Sequence, residues 1–402
     1  MTAHFYAGFA LLFLGREDEA EQDFLEALEL APTVHARAVP TICTWLCHIA
    51  VNRGDHETAQ IHFDRAMSSA STSSDQMLTA DALSAGARLS ELQGNRSQAV
   101  TQLEQADDIA IKVGNINLRL NHLANLCNTL IAGGELQKAN QRFDEWLELC
   151  GHFEDLKILH IKHFTLGRLE ILRGNFGAAI SALKAAIALA DETEDASQQR
   201  HSRLILARLY TGLNHSQNAR SLLEQMRAFT VNAELVEVGI EAEFASCEML
   251  QGKFEMAQQR LEFALNAKAA PDHDWRENRE RAQVLLGMAY LKNGLPEKAL
   301  EIIENFNFSP ASKAAAFSVQ LIAASESAMP QARALLLQGC VPPLEALELR
   351  RAMLHALEIK NPQRLELVQT TKALILEMAK SLERYPELQK SFLEKNHDLT
   401  EF

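Results

Sequence analysis

The sequence has little of what disulfide-bonded, secreted or membrane-spanning proteins carry. Its 402 residues include six cysteines without the dense, regular spacing of a disulfide framework, and aromatic residues make up only 6%. Such cysteine usage is typical of a reducing compartment, so we expect a cytoplasmic protein. No apolar run reaches the roughly 20 residues that a membrane span needs. The apolar start at Phe5 to Leu14 has no Lys or Arg before it, which argues against a signal peptide.

Positive charge is also scarce. The chain has 39 Lys and Arg against 53 Asp and Glu, a formal net charge of -14 at pH 7. A molecule of that sign repels nucleic acid and anionic membranes, so we expect neither as a partner. The sequence contains no phosphate-binding loop, dinucleotide fingerprint, zinc-protease helix or nucleophile elbow. We therefore predict that the protein is not an enzyme and needs no cofactor.

Alanine and leucine are abundant instead. Hydrophobic residues make up 47% of the chain, and runs of β-branched residues are few. Packed helices need this composition and sheets do not, which predicts an all-α protein.

One pattern recurs along most of the chain with a period close to 40 residues. A helix ends at a hinge residue, an alanine follows five residues later, and a small residue stands seven positions before the hinge. The hinges are Gly15, Gly54, Gly94, Gly134, Gly174, Asn214, Gly252 and Gly294. The alanines are Ala20, Ala59, Ala99, Ala139, Ala179, Ala219, Ala257 and Ala299, with Ala332 in a ninth, less regular copy.

This spacing resembles the tetratricopeptide repeat, a helix-turn-helix unit of about 34 residues in which small side chains let two helices approach closely. The longer period is similar to that of bacterial regulators and sensors of this family. The resemblance implies a right-handed α-α superhelix of about nine repeats. We assign the repeat array to residues 1–339 and a C-terminal helical repeat and cap to residues 340–402. The run from Ala373 to Leu393 resembles the end of repeat arrays in bacterial signalling ATPases and kinases.

The first repeat starts at residue 2, so nothing in the sequence covers the outer side of its first helix. Capping repeats are normally atypical and polar, whereas this copy matches the repeat well. We expect covalently attached upstream domains to precede this helix. The alternative is that a partner, such as a second copy of the chain, covers its apolar face.

The resemblance also implies a concave groove, into which the residue six positions before each hinge points. These residues are Phe9, His48, Arg88, Asn128, Arg168, Arg208, Ser246 and Met288, and Asn121 and His201 extend the stripe. Three arginines reverse the sign of the charge locally, and guanidinium groups suit carboxylates and phosphates. Alternatively, each arginine pairs with an acid of the neighbouring helix, such as Glu91 or Glu170. The spacing leaves both interpretations open.

Candidate metal ligands are few. Cys43 and Cys47 are four residues apart and His48 follows, but the two cysteines occupy positions where this repeat packs its paired helices. His160 and His163, with His152, have no carboxylate or thiolate fixed beside them. We interpret the cysteines as core residues and predict no metal site.

These patterns predict a non-enzymatic protein-protein interaction module, the sensor or scaffold of a bacterial signalling system. We expect it to bind an acidic or amphipathic peptide segment in the groove. One alternative is a peptide or small-molecule receptor that closes on its ligand. The other is a structural adaptor that self-associates.

Overall fold

A computed structural model describes residues 1–14, 16–151, 155–227, 236–267, 275–304, 308–323, 328–357 and 362–400. These residues form 22 α-helices and one short 3-10 helix at Ala36–Ala38, and no β-strand occurs among them. The all-α prediction is therefore confirmed.

Eighteen of the helices form nine successive pairs, one pair for each predicted repeat. The pairs are α1 Thr2–Phe13 with α2 Glu17–Val34, α3 Val39–Asn52 with α4 His56–Ser71, α5 Gln76–Leu92 with α6 Arg96–Val113, α7 Ile116–Ala132 with α8 Leu136–Cys150, α9 Leu156–Arg173 with α10 Phe176–Glu192, α11 Ala196–Gly212 with α12 Ser216–Arg227, α13 Val238–Leu250 with α14 Phe254–Asn266, α15 Trp275–Lys292 with α16 Pro296–Ile303, and α17 Pro310–Ile322 with α18 Met329–Leu337. Four further helices follow: α19 Pro343–Ala356, α20 Pro362–Lys380, α21 Pro386–Lys395 and α22 His397–Thr400.

Helix ends follow from local chemistry. Several helices begin after an Asp or Asn side chain that accepts a hydrogen bond from a free backbone N–H of the first turn, as Asp55 does from Thr58 at 3.0 Å. At the seven hinges from Gly54 to Gly294, which the structure describes, the residue that ends the first helix is left-handed, with φ of 70° at Gly134 and 62° at Asn214. Glycine reaches this conformation without a Cβ clash, and asparagine is one of the few other residues that tolerate it.

The packing within each repeat confirms the predicted register. All nine alanines of the pattern have 0% of their surface exposed. The small residue of the first helix faces the large residue of the second, since a Cβ on Gly167 would lie 2.7 Å from Leu183 Cγ and one on Gly8 would lie 2.9 Å from Phe24 Cε1. Helices this close exclude larger side chains at these positions.

The later repeats lie against the hinges of the earlier ones. The Trp275 ring lies where a Cβ on Gly54 would stand, and Arg276 Nη1 donates to the Leu92 carbonyl at 3.0 Å. The Cys340 carbonyl oxygen would be 1.8 Å from a Cβ on Gly134. The superhelix therefore makes enough of a turn for the segment that follows its ninth repeat to touch its fourth repeat.

The C-terminal helices continue this second layer. Helix α19 packs on α17, as expected of a cap, while α20 and α21 contribute residues to one core together with α10 and α11. The Phe176 backbone N–H donates to Ser381 Oγ at 3.0 Å, and the Phe176 and Phe392 ring centroids are 6.2 Å apart. Residues of α19 to α22 thus share one core with the middle repeats, a placement that the sequence does not predict. The division at residue 339 stays a prediction.

Candidate ligand-binding groove

Two adjoining cavities lie inside the superhelix. The first, which we call the polar cavity, has a volume of about 290 Å³ and is lined by Arg88, Asn128, His201 and other residues of α3, α5, α7, α9, α11 and α15. The second, the apolar cavity, has a volume of about 480 Å³. Its wall includes Ile131, Ile171, Leu172, Ile205, Leu209, Met249, Val284 and Leu344. The cavities share Arg96, Ala132, Arg168, Glu277 and Ser309, which we call the junction.

Six of the eight residues that stand six positions before a hinge line a cavity. Arg88 and Asn128 line the polar cavity, Arg168 lines both, and Arg208, Ser246 and Met288 line the apolar cavity. His201 also lines the polar cavity. The stripe is therefore continuous through the third to eighth repeats, because one residue per repeat faces the axis of the superhelix.

Three predicted groove residues lie outside the two cavities. Phe9 packs in the N-terminal core, with its ring centroid 5.6 Å from that of Phe24 and 5.0 Å from that of Trp45. His48 Nδ1 lies 3.1 Å from Arg88 Nη1, so His48 contacts a residue that lines the polar cavity. Asn121 is exposed on α7, one turn before the residues that reach the cavity. The structure thus brings seven of the ten predicted groove residues to the cavities and leaves these three outside them.

Arg208 is paired within the chain. Its guanidinium donates to Glu243 Oε1 at 3.1 Å, to Glu277 Oε1 at 2.8 Å and to Asn278 Oδ1 at 2.7 Å. The internal-pairing interpretation therefore holds at this position, although the acids belong to α13 and α15. Burial alone would raise the pKa of Glu243, but Arg281 and Arg208 hold it below its usual range.

Arg168 uses only part of its hydrogen-bonding capacity within the chain. Its Nη1 donates to the neutral Asn128 Oδ1 at 3.1 Å, and its Nη2 lies 3.9 Å from Glu277 Oε2. The guanidinium carbon is 5.8 Å from the centre of the Phe164 ring. A guanidinium has five N–H donors, so this set leaves several of them without an acceptor among the described residues.

Arg96 is a site residue that the repeat pattern misses. It follows the hinge Gly94 by two positions instead of preceding it by six, and it lines both cavities. Its Nε is buried and has no hydrogen-bond partner among the described residues. A Cβ on Gly133 would lie 3.0 Å from Arg96 Cδ, so the glycine leaves room for the arginine stem. The hinge needs only one glycine, but the sequence has two, at 133 and 134. The additional glycine is the feature of the sequence that could have pointed to Arg96.

The apolar cavity carries an excess of positive charge. Six cations line it, Arg96, Arg168, Arg208, Arg281, Lys292 and Lys395, against three carboxylates, Glu277, Glu345 and Glu348. Burial alone would raise the pKa of Glu348, but Lys395 and Arg351 lower it to about 2. Burial raises the pKa of Glu345. The cavity therefore attracts anions in a chain whose net charge is -14.

Among the described residues, one group has three side chains close enough to share a metal ion: His4, Asp23 and Glu26. His4 Nδ1 lies 2.7 Å from Asp23 Oδ1 and 3.1 Å from Glu26 Oε2, distances that a hydrogen-bonded imidazole accounts for.

The cysteine and histidine candidates lie mostly in cores. Cys43 and Cys47 are fully buried, and burial raises their pKa values to about 11 and about 12. Both are thiols at neutral pH, whereas metals bind the thiolate. His160 is buried with Nε2 2.9 Å from Ser202 Oγ. His152 lies outside the described residues.

No described helix combines the length and the apolar character that crossing a bilayer demands.

Comparisons with known proteins identify the fold. Residues 2–34, the first repeat, match the family model of the tetratricopeptide repeat, and a search of curated proteins found no match. The chain is similar to NprR in complex with its cognate peptide NprX, with 11% identity, coverage of 82% of this chain and 95% of that one, and a TM-score of 0.54. A Rap protein complexed with competence and sporulation factor is 12% identical to this chain, and the match covers 90% of this chain and 98% of that one with a TM-score of 0.47. The apo form of the quorum sensor NprR from B. thuringiensis is 12% identical, and the match covers 99% of this chain and 98% of that one with a TM-score of 0.43. The chain is thus an α-helical solenoid with a tetratricopeptide-like fold, made of long repeats.

Proposed function

We propose that the chain is a non-enzymatic interaction module, a cytoplasmic sensor or scaffold of a bacterial signalling system, that binds a short acidic and partly apolar peptide segment in its two cavities. The observation that carries the proposal is the junction, where Arg96 and Arg168 have unused donors beside a large apolar wall. Carboxylates of the segment would accept hydrogen bonds from these guanidiniums.

The apolar wall supplies the other part of the recognition. Leu172 and Leu209 are buried residues of this wall, and Ile171 and Met249 are partly buried. An aliphatic side chain of the segment gains about 25 cal/mol for each Å² of apolar surface that it removes from water here. Ligand pockets commonly measure about 300–1,000 Å³. The cavities of about 290 and 480 Å³ therefore suit a few residues of a peptide, not a folded domain.

NprR, whose fold the chain shares, was solved with a bound peptide. That fact supports a peptide as ligand in this type of solenoid, while the preference for acidic segments rests on the residues of this chain. A receptor that closes on its ligand is the second candidate, because Trp275 and Arg276 already bridge α15 to the early repeats beside the polar cavity.

A synthetic array of hexapeptides, capped at both ends and built from Leu, Ala, Gln, Glu and Lys, tests the proposal. We expect sequences that combine Glu with Leu to bind, with an affinity that falls as salt rises because ions screen the charges. Sequences with Gln in place of Glu should bind at least about tenfold more weakly. An array with no preference for Glu over Gln contradicts the proposal.

The Arg168→Ala variant locates the site. We expect it to weaken binding of the best acidic hexapeptide by about 5- to 150-fold, since hydrogen bonds to a charged group contribute about 1–3 kcal/mol. Arg142→Ala is the matched control: Arg142 pairs with Glu104 at 3.2 Å and Glu145 at 3.1 Å and lines neither cavity. Calorimetric titration measures both variants. Unchanged binding by Arg168→Ala, together with a loss of stability, would show that this arginine serves only internal pairing.

A further inference from the structure

Helix α15 begins inside the groove. The Trp275 ring packs against the core of the second and third repeats, formed by Ala50, Leu89, Leu92 and their neighbours. Arg276 donates from Nη1 to the Leu92 carbonyl at 3.0 Å and from Nε to Glu280 at 2.8 Å. The first turn of α15 therefore holds the eighth repeat against the early ones.

Glu277 lies next in this turn and lines both cavities. Its Oε1 accepts from Arg208 Nη1 at 2.8 Å, and its Oε2 is 3.9 Å from Arg168 Nη2. The side chain is 35% exposed. A carboxylate from within the chain thus occupies the place at the junction that the proposed ligand would need.

The other acceptors of Arg208 are fixed. Glu243 is fully buried and also accepts from Arg281 and from Thr211 Oγ1 at 3.0 Å. Asn278 is 1% exposed. Glu277, in contrast, faces the cavities and is shared with the weakly held Arg168. It is the acceptor that a competing carboxylate can reach and replace.

We infer that Glu277 acts as an internal stand-in for the ligand carboxylate, and that an acidic segment displaces it and releases the first turn of α15 from α5. The inference rests on the proposed function. It adds a regulatory step, because the ligand carboxylate and Glu277 then compete for the donors of Arg168 and Arg208 that face Glu277. Coupling of this kind is reciprocal: whatever releases α15 must tighten ligand binding by the same factor.

The test uses Glu277→Gln, which keeps the shape of the side chain and removes its charge. We expect the variant to bind the best acidic hexapeptide of the array about tenfold more tightly than the parent chain, a typical coupling between linked sites. Without peptide, amide hydrogen exchange at residues 275–281 and 89–92 should be faster than in the parent chain. Peptide bound to the parent chain should produce the same acceleration, which a purely structural role of Glu277 would not.

Glu297→Gln is the control, since Glu297 is an exposed acid in the first turn of α16 and lines neither cavity. It should leave affinity and exchange unchanged. Equal or weaker binding by Glu277→Gln, while the parent chain still binds the peptide, overturns the inference and leaves the proposed function standing. Slower exchange at residues 275–281 on peptide binding also overturns it. Failure of the array to yield any acidic ligand instead removes the proposed function, and the inference with it.

Discussion

At the scale of single residues, the hinge glycines serve two different purposes, and the atoms around each glycine show which of the two applies. Gly134 and Gly294 have φ of 70° and 74°, so both need the left-handed conformation. A Cβ at position 134 would meet the Cys340 carbonyl, whereas one at position 294 would meet nothing within 4 Å. The first glycine therefore also permits contact between distant repeats, and the second only ends a helix.

Replacing each glycine by alanine distinguishes the two purposes. Gly294→Ala should lower the free energy of unfolding by about 1–2 kcal/mol, the cost of a left-handed conformation for an L-residue. Gly134→Ala should cost clearly more, because a backbone carbonyl cannot move aside as a flexible side chain can. Urea unfolding measures both. Equal losses would mean that the segment after the ninth repeat does not rest on the fourth repeat.

At the scale of helices, α19 and α21 are joined by charge. Lys395 Nζ lies 2.8 Å from Glu348 Oε1, and Arg351 Nη1 donates to Glu348 Oε2 at 2.9 Å. These cations lower the pKa of Glu348 to about 2 from its ordinary 4.5. A carboxylate with a lowered pKa stabilises the fold above its unfolded-state pKa, and this stabilisation is lost as the pH falls through the folded-state value.

Acid should therefore loosen the contact between α19 and α21 between about pH 4.5 and about pH 2. Because 38% of the Glu348 side chain is exposed, solvent screening limits the effect to about 1 kcal/mol. The loss of stability between pH 5 and pH 2 should be smaller in Glu348→Gln than in the parent chain. Glu387→Gln, at an exposed position of α21, should leave the pH dependence unchanged. The prediction is wrong if both variants follow the parent curve.

The helix pairs were predictable because they depend on local contacts. The alanine and the small residue of each repeat are about a dozen positions apart, so one period of the sequence contains the whole contact. The meeting of Arg208 with Glu277, or of Gly134 with Cys340, depends on the curvature that accumulates over several repeats. A small rotation per repeat decides which residues meet, and no single repeat encodes it. This is why the sequence predicts the groove stripe but misses Glu277 as a partner of the arginines.

At the scale of the whole molecule, this solenoid departs from the one-dimensional behaviour of repeat proteins. In a simple solenoid each repeat contacts only its neighbours, so removing the end disturbs only the adjacent unit. Here Ser181 Oγ is 2.9 Å from Tyr385 OH, and Lys395 Nζ donates to the Gly212 carbonyl at 3.3 Å. The C-terminal helices therefore stabilise the fifth and sixth repeats directly.

Truncation after Arg384 tests this arrangement. The shortened chain loses Leu388 and Phe392 from the shared core, so we expect lower solubility and faster amide exchange at residues 176–183 and 204–213. Residues 20–31, which belong to a different core, serve as the internal control and should exchange as before. Phe392→Ala should give the same pattern more mildly, at a cost of about 3–5 kcal/mol. If amide exchange changes only around α17 and α18, the C-terminal helices act as a simple end cap and do not stabilise the middle repeats.

Packing of the last helices on the middle of the molecule also sets an order of events during synthesis. The ribosome produces the arginines of the junction and the wall around Leu209 well before Leu344 of α19 and Lys395 of α21, which complete the apolar cavity. At about 5–20 residues per second, the interval between Leu209 and Lys395 is roughly 10–40 s. For that time the wall around Leu209 stays open to solvent, because the side chains of Leu344 and Lys395 that complete the apolar cavity have not yet been made.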